Sequence, residues 1–277
     1  MTDRLKEVVT RTLGEDGVSF IEDGDVPDIS LREQMEAWLA MDNISGNVRY
    51  AIKLMGLNGG RRKNKKPNGR IVSNDIENII VPGYASRNSS FSSLREVLED
   101  NGIESHAINA YEDLRFRNPF PVFRSADFVQ RRIEESPAEE VNLICHSMGG
   151  IIALIACENL TEENRRRIGR IVTLGTPWNG TSMAKFLAFV KQGDNALGDI
   201  SPKSYVVDKV LPRISDEMKV KTVSIGSVHD VIVPWESSVL EGSLLNAVLR
   251  RKKAVTHANL LHEEHVAQTV AEILKAA

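Results

Sequence analysis

The sequence predicts an α/β protein with a doubly wound, mostly parallel sheet. From residue 76 onward, short apolar runs typical of buried strands alternate with amphipathic stretches typical of helices. One apolar run, 141–144, leads through Cys-His-Ser-Met-Gly at 145–149 into the helix-compatible stretch 151–155. A chain of 277 residues, 42% of them hydrophobic, is long enough for one such domain and an appendage.

The first 75 residues are expected to form a helical extension with a basic loop. Residues 14–28 are acidic and contain turn residues. The basic run 61–70 is either a solvated loop or a patch for a partner or an anionic membrane surface. Apolar residues at helical spacing predict helices at 5–13, at 31–39 behind a capping box that begins at Ser30, and at 48–57.

The predicted core covers residues 76–277, and each element follows from its local pattern. Buried strands are predicted at 79–81, 103–110, 141–144, 168–174 and 220–225, with a short last strand at Ala254 and Val255. Helices are predicted at 126–135, at 265–274, and from a capping box at Ser93 to Asn101 and Gly102. The stretch 178–216, between two predicted strands, is an insertion with an apolar face.

Residues 145–149 have the pattern of a nucleophile elbow, a sharp strand-to-helix turn that exposes a serine hydroxyl. Strand and helix nearly touch at this turn, so the residues two before and two after the serine must be small. Gly149 satisfies this, and Cys145, in the place of the usual glycine, is small enough. Ser147 is therefore the candidate nucleophile, and the alternative is an ordinary buried turn.

A serine hydroxyl needs a general base, and the base needs a carboxylate that orients it. On such a fold the chain order is serine, acid, histidine. Asp230 follows a predicted strand and is the candidate acid, while His257, ahead of the last helix, is the candidate base. The remaining alternatives are the acids Asp216 and Glu236 and the bases His262 and His265.

An oxyanion hole needs two backbone N–H groups aimed at the developing negative charge. The N–H of Met148, directly after the nucleophile, is one candidate. The other is the N–H of Tyr84, in the loop after the strand 79–81, where Gly83 allows a close approach. His146, inside the elbow, is expected to be structural.

These motifs, in this order, resemble the α/β-hydrolase superfamily and, within it, the bacterial lipases and esterases. Residues 81–84 resemble the family's oxyanion loop, with Pro82 where a histidine is usual. Residues 174–181 resemble a lipase segment in which Gly-Thr-Pro precedes His-x-Gly, and Trp178 replaces that histidine. Residues 257–261 resemble the motif that carries the base.

The resemblance implies a carboxylic ester hydrolase, of esterase or lipase type, that forms an acyl-enzyme at Ser147. The implied substrate is a small-molecule or lipid acyl ester, with no metal or other cofactor. The resemblance also implies that the insertion 178–216 is a cap or lid over the acyl group, the alternative being a helix of the core. Trp178, Phe186 and Phe189 are expected to contact the substrate. Two alternatives remain: an acyltransferase or thioesterase with the same triad, and a non-catalytic binding protein on this fold.

The composition and the N-terminal sequence limit which partners and which cellular compartment are expected. The net charge of −3 implies no general affinity for nucleic acid. Cys145 and Cys157 lie in apolar surroundings and are expected to be buried small residues rather than a disulfide. No signal peptide is recognisable and no segment approaches the ~20 apolar residues of a membrane span. A cytoplasmic protein is expected, with peripheral contact to a membrane or substrate surface as an option.

Overall fold

The computed structural model describes residues 1–22, 75–84, 86, 88–108, 121–182, 195–250 and 255–276. Within these residues seven strands form one sheet, in the order β1-β7-β6-β5-β4-β2-β3. The strands are β1 (Val18–Ile21), β2 (Ile76–Val81), β3 (Ser105–Ala107), β4 (Glu140–His146), β5 (Ile168–Leu174), β6 (Thr222–Ser227) and β7 (Leu245–Leu249). All neighbouring strands are parallel except β1, which runs antiparallel to β7.

Helices cover both faces of this sheet, as the sequence predicted for a doubly wound fold. The helices are α1 (Thr2–Leu13), α2 (Ser92–Asp100), α3 (Pro121–Glu134), α4 (Met148–Glu158), α5 (Glu162–Arg166), α6 (Asn195–Asp199), α7 (Asp216–Lys219) and α8 (Glu264–Lys275). One apolar cluster joins α3 and α4 to the first face of the sheet. A second cluster joins α1, α2 and α8 to the opposite face.

Strand β4 shows why the central strands are recognisable in the sequence. Leu143 and Cys145 belong to the cluster on the α3 and α4 side, while Ile144 between them belongs to the opposite cluster. A parallel strand that is buried on both faces must be apolar at successive positions rather than at alternate ones. Helix α4 is buried from Met148 to Cys157, which makes it the central helix of its layer.

The first 22 residues contribute a helix and a strand to the fold. Helix α1, which was predicted, buries Leu5, Val9 and Leu13 and packs against α8. Polar contacts also join these helices: Arg11 forms an ion pair with Glu272, and the hydroxyls of Thr12 and Thr269 lie 2.6 Å apart. Strand β1, which the sequence analysis missed, lies at the edge of the sheet, in the segment 14–28 taken there as turn-rich. The predicted helices at 31–39 and 48–57 and the basic run 61–70 lie outside the described residues.

Several predicted element bounds need correction. Of the strand predicted at 103–110 only Ser105–Ala107 form β3 in the described residues, and the strand predicted at 220–225 is β6, which begins and ends two residues later. The last strand of the sheet is β7, whereas Val255 lies in no strand. Helix α2 has Phe91 at its N-cap with no side-chain cap bond, so the predicted capping box at Ser93 was wrong. Helix α3 begins at Pro121, five residues earlier than predicted, because a proline is tolerated at the first position of a helix.

The described part of the insertion 178–216 lies beside α3 and α4. Leu197 in α6 and Ile200 directly after it are buried in the same apolar cluster as these helices, together with Val206 and Leu211. The carboxylate of Asp199 accepts a hydrogen bond of 3.4 Å from the N–H of Val122 in α3. These contacts attach the insertion to the layer of helices that contains the elbow helix.

Candidate active site

Ser147 stands at the junction of β4 and α4 in a strained backbone conformation. Its φ of 54° and ψ of −130° are unusual for a residue with a side chain. Such a conformation costs about 1–3 kcal/mol and persists only where neighbouring groups enforce it. Here the N–H of Ser147 donates to the carbonyl oxygen of Leu174 at 2.9 Å, and Thr176 Oγ1 donates to the carbonyl oxygen of Ser147 at 2.9 Å. Leu174 is the last residue of β5 and Thr176 lies two residues beyond it, so the end of the neighbouring strand fixes the backbone of the elbow.

The small residues of the elbow are required by close backbone contacts. A Cβ atom on Gly149 would collide with the carbonyl oxygen of Val81, and one on Gly150 would collide with the side chain of Thr176. Cys145 is accommodated in β4, where it is buried and pairs with residues of both neighbouring strands. Burial raises the pKa of the Cys145 thiol well above its usual value, so that this group stays uncharged. Cys145 and Cys157 are both unpaired and buried, which confirms the prediction made for them.

The loop after β2 lies directly against the elbow. A Cβ atom placed on Gly83 would lie 2.7 Å from Ser147 Cβ and 2.7 Å from the carbonyl oxygen of His146. Only a glycine therefore allows the loop to come this close. Tyr84 follows it and is buried. Met148 opens α4, where helix geometry leaves the first N–H groups without an acceptor inside the helix.

Asp230 and His257 form a buried hydrogen-bonded pair. His257 Nδ1 lies 2.6 Å from Asp230 Oδ2, and the two residues are 2% and 4% exposed. The other carboxylate oxygen of Asp230 accepts the N–H groups of Ile232 and Val233 at 2.9 and 2.8 Å. Asp230 lies in the loop after β6 and His257 in the loop after β7. A carboxylate held by two backbone donors is a rigid partner for the imidazole.

His146 links this pair to the elbow. Its Nε2 lies 3.0 Å from the carbonyl oxygen of His257, and the centroids of the two imidazole rings are 4.7 Å apart. A Cβ atom on Gly175, at the end of β5, would lie 3.1 Å from both Asp230 Oδ2 and His257 Nδ1. The elbow, the acid and the histidine therefore meet at the carboxyl ends of β4, β5, β6 and β7, where ligands bind in open parallel sheets.

The alternative acids and bases lie elsewhere. Asp216 is 95% exposed at its side chain and faces Lys219 on the same helix, and Glu236 is also exposed. His265 is exposed on α8, and His262 is exposed with its Nδ1 3.5 Å from Ser93 Oγ. Burial and pairing thus distinguish Asp230 and His257 from every alternative that the sequence left open.

Of the three residues expected to contact the substrate, only Trp178 lies in the described part of the chain. Trp178 is 4% exposed, and its Nε1 donates to Ser224 Oγ at 3.0 Å. Its indole belongs to the apolar cluster of α3 and α4, a placement that favours packing over contact with a ligand. Phe186 and Phe189 lie outside the described residues.

Sequence reasoning did not single out Thr176, which clamps the elbow through its hydroxyl. A signal was present, because Gly-Thr-Pro at 175–177 directly follows a buried strand, and small or polar residues there reach the same sheet edge as the elbow. In the described residues no cluster of three or more His, Cys, Asp or Glu side chains is arranged to hold a metal ion. No helix in the same part of the chain has the length and apolar character needed to cross a membrane.

A parallel sheet that presents a serine at a strained strand-to-helix turn, beside an aspartate–histidine pair from later loops, defines the α/β-hydrolase class. The chain belongs to the PGAP1-like alpha/beta domain family, whose sequence model matches residues 86–274. Ser147, Asp230 and His257 lie within the matched residues, whereas Gly83 and Tyr84 precede them.

Solved structures of esterases and lipases share this fold. A metagenomic carboxyl esterase is 13% identical with a TM-score of 0.55, over 79% of this chain and 82% of that chain. Lipase B of Aspergillus fumigatus is 14% identical with a TM-score of 0.56, over 94% and 77% of the two chains. The mature form of a Bacillus licheniformis lipase is 15% identical with a TM-score of 0.52, over 71% and 90%. The chain is therefore an esterase- and lipase-like member of the α/β-hydrolase superfamily.

Proposed function

We propose that this protein is a serine carboxylic ester hydrolase that uses Ser147, His257 and Asp230 as its catalytic triad. The observation that carries the proposal is the buried 2.6 Å bond between His257 Nδ1 and Asp230 Oδ2, beside a serine in a strained elbow. The esterases and lipases that share the fold support the same reaction class.

Each residue has a defined chemical role in this proposal. The bond from Nδ1–H to Asp230 keeps the imidazole in the tautomer whose Nε2 accepts a proton. Nε2 of His257 takes the proton of the Ser147 hydroxyl as Oγ attacks the acyl carbonyl carbon. The carboxylate of Asp230 then stabilises the imidazolium, and that proton passes to the departing alcohol. Water attacks the acyl-enzyme by the same route and releases the carboxylic acid.

The oxyanion of each tetrahedral intermediate is proposed to bind the N–H groups of Met148 and Tyr84. The close approach of Gly83 to Ser147 supports this role, because it brings the loop within contact distance of the nucleophile. Donors that are already in place stabilise the charge without reorganisation, and one such donor is worth about 10²–10³ in rate. Pro82 has no N–H, but it precedes both proposed donors and removes neither.

The substrate is proposed to be an acyl ester with an apolar acyl group. The position of the insertion 178–216 supports this, because its buried side chains Leu197, Ile200 and Val206 anchor it beside the elbow helix. Its proposed role is that of a cap over the acyl chain, since pockets for such ligands are lined mainly by apolar side chains.

The test is labelling of the purified protein with a fluorescent fluorophosphonate, together with hydrolysis of short p-nitrophenyl esters. We expect the wild-type protein to be labelled and to turn over the esters, and Ser147→Ala to lose both, with a fall in rate on the order of 10⁴- to 10⁶-fold. Ser92→Ala is the matched control, because Ser92 is exposed at the start of α2. An unlabelled wild-type protein would contradict the proposal and favour a non-catalytic binding role. Product analysis with added alcohol separates hydrolysis from acyl transfer.

A further inference from the structure

His146 is buried beside the nucleophile but takes no part in the proposed reaction. Its side chain is fully buried, and its ring lies 4.7 Å from the ring of His257 at an interplanar angle of 44°. The two residues are 111 positions apart in the chain, so this contact is created by the fold. A titratable ring directly against the proposed general base needs a physical explanation.

The contacts of His146 define its protonation state. A carbonyl oxygen can only accept, so Nε2 must carry the proton in its 3.0 Å bond to the carbonyl oxygen of His257. Nδ1 has no hydrogen-bond partner in the described part of the chain, and it faces the oxyanion loop, 3.4 Å from the position of a Cβ on Gly83. Burial and then the proximity of His257 hold the pKa of His146 well below its usual value, so the ring is neutral.

A neutral ring suits this position because His257 must become a cation during each acyl transfer. A permanent positive charge within contact distance would oppose that step by like-charge repulsion. The neutral imidazole instead has a single N–H group, at Nε2, which donates to the backbone carbonyl oxygen of His257. His257 lies outside helix and strand, between β7 and the short helical turn Asn259–Leu261. Its backbone is therefore not held by the ladder of a regular element.

We infer that His146 is a positioning residue for the general base. Its Nε2–H ties the carbonyl group of His257 to the same turn that presents Ser147, so one rigid element sets the place of nucleophile and base. Asp230 orients the ring of His257, and His146 locates its backbone. This inference rests on the proposed function and adds to it a residue that touches neither substrate nor reacting atoms.

The test compares two amides that differ by one methylene. In His146→Gln the side-chain amide nitrogen can occupy about the place of Nε2 and donate to the carbonyl oxygen of His257, whereas in His146→Asn it reaches only the place of Nδ1. We expect His146→Gln to keep kcat within about threefold of wild type. We expect His146→Asn to lower kcat by about 10- to 100-fold with little change in KM, since misplacing a reacting group by about 1 Å has that effect. His265→Asn, on the exposed side of α8, is the control substitution and should leave kcat unchanged.

A double-mutant cycle supplies a readout that a purely structural role would not produce. In a His257→Ala background the residual esterase activity should be the same with His146 or with Asn at this position, because the residue acts through the base. If adding His146→Asn to the His257→Ala protein lowered the residual activity as much as it does in wild type, the inference would be overturned. Equal kcat values for the Gln and Asn variants would overturn it as well. Failure of the Asn variant alone to fold would also overturn it, because the bond would then hold the fold rather than the base. All of these outcomes require an active, fluorophosphonate-labelled wild type, so they are distinct from failure of the proposed function itself.

Discussion

Substituting Gly83 by alanine tests whether the loop after β2 forms the oxyanion hole. The new Cβ would lie 2.7 Å from Ser147 Cβ and from the carbonyl oxygen of His146. Carbon atoms in contact prefer separations of about 3.5–4.0 Å, so the loop or the elbow must move by about 1 Å. The obstacle is largely backbone, which cannot rotate away as a long side chain would. Such a displacement withdraws the N–H of Tyr84 from the oxyanion, and we expect kcat to fall by about 10²- to 10³-fold.

The assay is steady-state hydrolysis of p-nitrophenyl butyrate, with the melting temperature measured in parallel. Gly198→Ala is the matched control, since a Cβ at that position in α6 has no heavy atom within 4 Å. We expect the control to match wild type in kcat and to be slightly more stable, because alanine is favoured over glycine in helices by roughly 0.5–1 kcal/mol. A Gly83→Ala protein that is folded and has wild-type kcat would show that this loop does not supply the oxyanion donor.

Three further predictions follow from the same contacts. His257→Ala should reduce ester hydrolysis about as severely as loss of Ser147, whereas His262→Ala should cost less than roughly tenfold because that ring is exposed; the reverse ranking would transfer the role of base. Thr176→Val removes a buried donor to the carbonyl of Ser147 and should lower the free energy of unfolding by about 1–3 kcal/mol in urea denaturation, while an unchanged midpoint would show that this bond does not hold the elbow. Removing residues 1–22 deletes the buried side chains of α1 and uncovers the apolar surface of α8 on which they pack; burial of each large side chain is worth roughly 1.5–3 kcal/mol, so the soluble yield and melting temperature should fall sharply, and an unchanged melting temperature would contradict the packing of this segment on the core.

The elements that the sequence predicted well are those whose pattern is local and complete. Strand β5 has the predicted bounds, and β4 was found although it is longer than predicted, because burial on both faces makes such strands continuously apolar. Strands β1 and β7 were missed. β1 is a four-residue edge strand in an acidic segment, and its partner in the sheet lies more than 220 positions along the chain. A pairing of that kind is stabilised by long-range contacts that leave no local period in the sequence.

The capping box at Ser93 is an instance of local preference overridden by packing. The motif is present, but Phe91 at the N-cap position is fully buried and the helix begins one residue before Ser93. Burying a phenylalanine is worth more than the roughly 1 kcal/mol of a side-chain cap, so the start of the helix follows the core. Trp178 also packs in the core, where its indole belongs to the cluster of α3 and α4 and donates to Ser224 Oγ.

By itself, the sequence determined the fold class, the elbow and the order in which nucleophile, acid and base candidates follow one another. These properties depend on residue types at short spacings, which local chemistry restricts. Only the tertiary structure shows that His257, among the candidate histidines, pairs with Asp230, and it alone places His146 against the same residue. The physical reason is that a hydrogen bond between loops that follow different strands depends on how the sheet aligns the carboxyl ends of those strands. That alignment is set by contacts between distant parts of the chain, so no local sequence pattern encodes it.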